Sequence, residues 1–376
     1  MMRTMRFGVI GGGLMGREFA SAAARWLHLL EPISKPEIVA VADPSSEARS
    51  WFESHHDLLL STPDFRELVS HSDVDALYIA VPHDLHAEVL CAAIPTGKAI
   101  LAEKPFGIDL AANQAIMECL AAHPETFVRC SSEFPFYPGA QRIARLAHEG
   151  AFGKIIQVHA GFRHSSDLDP LKPINWKRQR ARNGEYGCMG DLGLHVVHLP
   201  FRLGWRPLDV RAMLSNIVAE RPDGKGGTAP CDTWDNALLV CDATDGQQNF
   251  PMILETKRIA PGETNTWFIE VQGTRTSVRY STKHPKTLET LRYEPGTPQE
   301  WRTEDLGYAS AHKTISGGIF EFGFSDALLQ MWAAFMVEAS GSQPPFGCAR
   351  PEEAQTSHRL FTAALESHVR RSVVSV

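Results

Sequence analysis

Two clusters of side chains sit at spacings that suit proton and hydride chemistry. In ILAEKPFG, Lys104 falls between Glu103 and Pro105 at the end of an apolar run. A proline disfavours helical geometry at the residue before it. Lys104 is therefore expected to stand extended at a strand tip, with Pro105 fixing the turn behind it. Glu103 should point to the other face, where it can anchor the sheet. In GCMGDLGLHVVHLPFRLG, Asp191 and His195 are four residues apart. On a helix both would lie on one face, beside an apolar face of Leu192, Val196 and Leu199. Pro200 would kink that helix or end its regular hydrogen bonding. Oxidation of an alcohol needs a base near neutral pH. Histidine, with a reference pKa of about 6.5, is available, whereas lysine at about 10.4 would need a shift of roughly three units, costing about 4 kcal/mol. The economical assignment makes His195 the general acid/base. Lys104 then donates to the substrate oxygen and stabilises a developing alkoxide, and Asp191 orients substrate hydroxyls or the lysine.

These side chains need strands and helices to hold them. RFGVIG, IVAVAD, DALYIAVP, KAILAEKP and FVRCSSE are short apolar runs, and helix-like stretches such as HAEVLCAAIPTG and LAANQAIMECLAAH separate them. Such alternation predicts a parallel sheet covered on both faces. Ligands bind beyond the carboxyl ends of these strands. After the first strand, Gly11, Gly13 and Gly16 have the GxGxxG spacing at the start of a helix, the context a dinucleotide-binding turn requires. Leu14 and Met15, inside that motif, are counted with the cofactor contacts. Asp43 ends the second strand. Its carboxylate can accept from ribose hydroxyls and would repel a 2′-phosphate, so NAD is favoured over NADP. Arg49 nearby keeps NADP open, and a helix N-cap is the alternative role for Asp43.

After residue 150 the pattern changes to closely spaced strands: KIIQVHAGF, DVRAMLSNIV, NALLVCDAT, FPMILETKRI, TWFIEVQG and TSVRYST. They predict an antiparallel sheet. ERPDGKGGTAP reads as a mobile loop. Two amphipathic C-terminal helices should pack back on the body. The expected fold class is α/β. An N-terminal Rossmann domain (residues 1–133) precedes a C-terminal α+β domain (134–376) with an open, mainly antiparallel sheet.

The 376 residues carry a net charge of −7, and KRQRAR at 177–182 is the most basic stretch. It reads as a solvated loop, and the overall charge argues against nucleic-acid binding. No apolar run reaches the length of a membrane span. Seven dispersed cysteines without a CxxC pair fit reduced thiols in a cytoplasm better than a disulfide framework. His83-x-x-His86 and the set Asp191, His195 and His198 could be read as metal ligands. Neither is taken as a metal site, since the first lacks a third ligand.

Taken together, GxGxxG, Asp43, VPHDLH and AEKPFG resemble the Gfo/Idh/MocA family of oxidoreductases. GAFGKI and the Asp191–His195 helix extend the resemblance over nearly the whole chain. The resemblance implies NAD(P)-dependent hydride transfer to or from a sugar, cyclitol or sugar derivative. It implies Lys104, Asp191 and His195 as the catalytic trio, and Pro82, His83, His86 and Glu103 near the cofactor. It also implies an open second sheet used for dimer contacts, hence a homodimer or homotetramer. INWKRQRARNGEYG resembles the family's substrate-side loop, so Trp176, Lys177 and Arg180 face either a ligand or solvent, and an anionic or carboxylated sugar would suit them. His198, where relatives often carry Asp, is counted with the substrate contacts. A second departure is SSEFPFYPGA, which has Glu133 and no arginine. Two other readings stay open: a glycosidase that oxidises and re-reduces its substrate through NAD, and a sugar-regulated sensor without catalysis.

Overall fold

The computed structural model describes residues 4–307 and 310–376. The chain divides into two compact units, Met1–Phe136 with Ser310–Gln355, and Tyr137–Ala309 with Thr356–Val376. In the first, strands β1 (Thr4–Ile10), β2 (Lys35–Ala42), β3 (Leu60–Thr62), β4 (Ala76–Ile79), β5 (Ala99–Ala102) and β6 (Val128–Cys130) alternate with helices α1 (Leu14–Ala24), α2 (Ser46–Glu53), α3 (Phe65–Ser70), α4 (His86–Ala93) and α5 (Leu110–Ala122). The strands form one sheet in the order β3-β2-β1-β4-β5-β6, and every pairing is parallel. Burial on both faces explains the continuous apolar runs: all four residues of β4 are buried. Strand order reverses between β1 and β4, the switch point where such sheets bind ligands. The sequence reading found five of these strands. The three-residue β3, LST, is too short and too polar to register as an apolar run.

The second unit holds α6 (Pro138–His148), β7 (Ile155–Arg163), α7 (Arg180–Asn183) and α8 (Cys188–Arg202), followed by β8 (Arg206–Pro207), β9 (Asp209–Ser215), β10 (Glu220–Pro222), β11 (Thr228–Pro230), β12 (Asn236–Thr244), β13 (Asn249–Lys257), β14 (Thr266–Gly273), β15 (Thr276–Ser281), β16 (Thr287–Arg292) and β17 (Arg302–Asp305). Its main sheet runs β17-β16-β15-β14-β7-β13-β12-β9-β18, where β18 is Val374–Ser375, and β8 pairs with β12. The sheet is antiparallel except where β7 and β13 pair in parallel, so it is mixed at its centre. The stretch expected as a mobile loop is an antiparallel ladder, β10 against β11. Arg221 anchors it, buried and donating to the carbonyls of Asp169, Lys172 and Asp167.

The C-terminal helices are α9 (Phe324–Ala339) and α10 (Pro351–Arg370). The sequence reading placed every residue after 133 in the second domain. Residues 310–355 instead belong with the first unit, for a reason visible on α9. Trp332 stacks on Phe19 of α1 with ring centroids 3.8 Å apart and meets Tyr78 edge-on at 4.8 Å. No periodicity in the sequence announces that pairing.

Candidate active site

The glycines after β1 do three different jobs. Gly11 has φ +101°, and a Cβ there would lie 2.3 Å from the Ala80 carbonyl oxygen. A Cβ on Gly16 would lie 2.4 Å from the Gly11 oxygen, so helix and turn touch. Gly13 faces open space, with nothing within 4 Å of an added Cβ. It is the N-cap of α1 and supplies no side-chain cap. The first turn of α1 therefore presents backbone N–H groups and a positive dipole end where a pyrophosphate would sit. Leu14 is 74% exposed beside it and Met15 is half-buried. The glycine cradle thus fits the dinucleotide that its spacing suggests.

Asp43 closes this loop from β2. Its carboxylate accepts from the Gly12 and Ser45 backbone N–H groups, each at 2.8 Å. Ser45, not Asp43, caps α2. Arg49 donates to the Asp43 carbonyl oxygen at 2.6 Å.

Lys104 leaves the tip of β5 through a turn held from several sides. Behind it, Phe106 has φ +71°, a left-handed conformation that costs a non-glycine residue roughly 1–2 kcal/mol. Buried Asn113 donates to the Phe106 carbonyl at 3.0 Å. Gly107 has φ +121°, and its N–H donates to Nδ1 of His86 at 3.4 Å. The Nε2–H of His86 donates to the Val81 carbonyl at 3.1 Å. His86, expected near the cofactor, thus ties the exit of β4 to the turn after Lys104. His83 packs its ring edge-on to His86 at 5.7 Å, and Pro82 precedes it as cap of a short helical turn. Glu103 does anchor the sheet, as its alternation suggested: Tyr78 of β4 donates to it at 2.8 Å. Burial, then the Glu103 charge, push the Tyr78 phenol well above its ordinary value.

Asp191 and His195 lie on α8, whose residues are buried from Cys188 through Phe201, so the helix has no solvated face. It begins at Gly187, φ +57°, where a Cβ would meet the Trp234 backbone at 2.5 Å. Pro200 is accommodated inside it. Asp191 accepts from Lys177 Nζ at 2.9 Å and from Arg258. Arg258 also donates to Asp167 at 2.8 Å. Burial opposes its charge, yet Asp191 and Asp167 hold its guanidinium above the ordinary value. The lysine that Asp191 orients within its own unit is therefore Lys177, whose ammonium lies 5.6 Å from the Trp176 ring centroid. His195 is 4% exposed. Its carbonyl accepts from Trp267 Nε1 at 2.9 Å, and its ring meets Phe162 edge-on. His198 is fully buried, with Nε2 3.4 Å from Arg202. The basic stretch read as a solvated loop is in part a core element. Arg178 is fully buried and donates to Asn216, Val218 and Asp235, because buried carboxylates need cations. Arg258, Asp167 and Tyr78 were missed by the sequence reading. Asp191 and Arg258 are 67 residues apart, beyond any local spacing rule.

Among the described residues, no group of three or more His, Cys, Asp or Glu could hold a metal ion, and no helix is long and apolar enough to cross a membrane.

A dinucleotide cradle on a parallel sheet, with a lysine at the neighbouring strand tips, defines an NAD-binding oxidoreductase. Residues 5–129 match the profile of the Gfo/Idh/MocA oxidoreductase family, NAD-binding Rossmann fold, and residues 140–279 match that family's C-terminal domain. The chain belongs to this family. It is 27% identical to levoglucosan dehydrogenase of Pseudarthrobacter phenanthrenivorans over 77% of this chain and 76% of that protein. It is 25% identical to inositol 2-dehydrogenase of Rhizobium meliloti over 76% and 78%. The solved structure of levoglucosan dehydrogenase in complex with NADH and levoglucosan superposes with a TM-score of 0.89 at 24% identity, covering 100% of both chains.

Proposed function

We propose that this chain is an NAD-dependent dehydrogenase that moves a hydride between nicotinamide and a hydroxyl or keto carbon of a sugar, cyclitol or related polyol. The observation that carries the reading is Lys104, presented at the ligand end of β5 by a turn fixed through His86 and Asn113. The similarity to a levoglucosan and an inositol dehydrogenase over three quarters of the chain supports the substrate class.

The nicotinamide, when bound, supplies the hydride acceptor or donor. The chain's own residues do the rest. The Lys104 ammonium donates to the substrate oxygen and stabilises charge that develops on it. The His195 imidazole takes or returns the hydroxyl proton. Asp191 keeps Lys177 in place beside Trp176, so that an ammonium and an aromatic face meet substrate hydroxyls and ring carbons together. The Asp43 carboxylate, set among the backbone donors of Gly12 and Ser45, disfavours a 2′-phosphate and so favours NAD. In the second unit, β12 buries Ala237, Leu239, Cys241 and Ala243 and turns Leu238 and Val240 outward. Val240 is 40% exposed and Met213 of β9 is 51% exposed. This open sheet face suits a homodimer or homotetramer. Seven free thiols fit a reducing cytoplasm.

The test is a panel of aldoses, cyclitols, polyols and sugar acids with NAD+ and with NADP+, followed by nicotinamide absorbance. Steady NADH formation on at least one polyol is expected. Lys104→Ala should lower kcat by about 10²–10³-fold, and His195→Ala should abolish turnover while NAD affinity stays near normal. Hydrolysis of a glycoside without net NADH would replace this reading with transient oxidation. Full activity of Lys104→Ala would remove the lysine from the chemistry.

A further inference from the structure

Of the seven cysteines, five are buried and two, Cys91 and Cys119, are partly exposed. The two belong to different helices, α4 and α5, yet their Sγ atoms lie 2.7 Å apart. That is closer than the roughly 2.9–3.0 Å of an ordinary N–H···O hydrogen bond. A disulfide, at roughly 2.05 Å, needs only a small further approach of two atoms already in contact. Cys119 donates its S–H to Cys91, and Cys91 donates to the Ala115 carbonyl at 3.7 Å.

We propose that Cys91 and Cys119 form a thiol–disulfide modification site, closed by a small-molecule disulfide such as glutathione disulfide. A protein thiolate attacks one sulfur of the oxidant, and the first glutathione leaves as a thiolate that takes up the protein's proton. The second protein thiol then attacks the mixed disulfide and expels the second glutathione, which takes up the second proton. Two protein thiols are oxidised to one S–S bond, and one glutathione disulfide is reduced to two thiols.

The pair is 28 residues apart in sequence, and the site has a mechanical consequence. α4 begins with His86 and the first turn of α5 carries Asn113. Both side chains hold the turn behind Lys104. A covalent link between α4 and α5 braces that turn from the outside. Burial, the Cys119 contact and the Glu118 carboxylate together push the Cys91 thiol up to about 12. Cys91 therefore stays protonated at neutral pH, and its exchange is slow there and accelerates as pH rises.

The experiment uses the full chain in glutathione redox buffers of increasing disulfide fraction. The mixture is then acid-quenched, alkylated and peptide-mapped by mass spectrometry. The expected result is a Cys91–Cys119 linked peptide within single chains, while the other five thiols remain alkylatable on unfolding. The oxidised protein should unfold a few degrees higher than the reduced one. Cys119→Ser should stop at the glutathione adduct on Cys91, or stay unmodified, and lose the thermal gain. A stable glutathione adduct on either cysteine of the wild-type chain would overturn the proposal. So would links to any other cysteine, links between chains, or independent alkylation of both thiols after oxidation.

Discussion

Glu133 shows how one buried acid at a strand tip sets a pH response. The sheet register pairs Ala102 with Cys130, so β5 and β6 end side by side. Glu133 follows β6 and is 4% exposed. Burial, then the Glu103 charge, push its carboxyl from 4.5 up to about 8, and Lys104 opposes the shift. The folded protein therefore keeps a proton that the unfolded chain releases near 4.5. Stability from this group is present below the lower value and is lost as pH rises between the two. The loss is on the order of 3–5 kcal/mol across that window, at about 1.36 kcal/mol per unit. Urea midpoints of wild type and Glu133→Gln, measured from pH 5 to pH 8, should diverge as the wild type weakens. Parallel curves would show that Glu133 is ionised throughout. The sequence reading marked this segment as a departure because it holds Glu133 and lacks the arginine that relatives often carry just before the proline, where Phe136 and Tyr137 stand here. It could not give the consequence, because burial and the neighbouring Glu103 are properties of the folded tip.

At the scale of an element, the turn after β5 concentrates strain and its remedies. Phe106 adopts a left-handed backbone, which persists only where surrounding groups over-determine it. Asn113 is one such group. It is fully buried, and its amide donates to the Phe106 carbonyl. A buried asparagine whose amide meets the Phe106 carbonyl serves the turn. Asn113→Ala should cost about 1–3 kcal/mol by orphaning the Phe106 carbonyl. It should also lower kcat about tenfold or more through misplacement of Lys104, with NAD affinity nearly unchanged. Thermal unfolding and steady-state kinetics check both, and a stability loss with unaltered kcat would uncouple the turn from catalysis. The lysine, its strand and the glycine cradle were legible because Pro, Gly and apolar runs act locally. Asn113, His86 as a clamp and the Arg258–Asp191 pair were not, since each is a contact across the fold with no spacing rule. The strands β16 and β17 were missed because TLETLR and RTED alternate too weakly between apolar and polar residues. They gain their place by pairing with β15 and with each other.

For the molecule as a whole, the division into units does not follow the order of the chain. A Rossmann sheet needs cover on both faces. Its first helix buries the small residues Ala20, Ala22 and Ala23 beside Phe19, and gives room to a large ring. Trp332 of α9 fills that room against Phe19, Tyr78 and Phe7. It is 1% exposed. Deleting a buried tryptophan ring costs about 3–5 kcal/mol. Because α9 comes almost two hundred residues after β6, the first unit's core is complete only when residues 310–355 are present. Trp332→Ala should therefore weaken hydrogen-exchange protection in β1, β4 and α1 as much as in α9. The strands of the second unit should keep their protection. Exchange that rises in α9 alone would make that helix an appendage, with the sheet self-sufficient beneath it. Matched losses in the early strands and the late helix would show that the nucleotide-binding unit is assembled from both ends of the sequence.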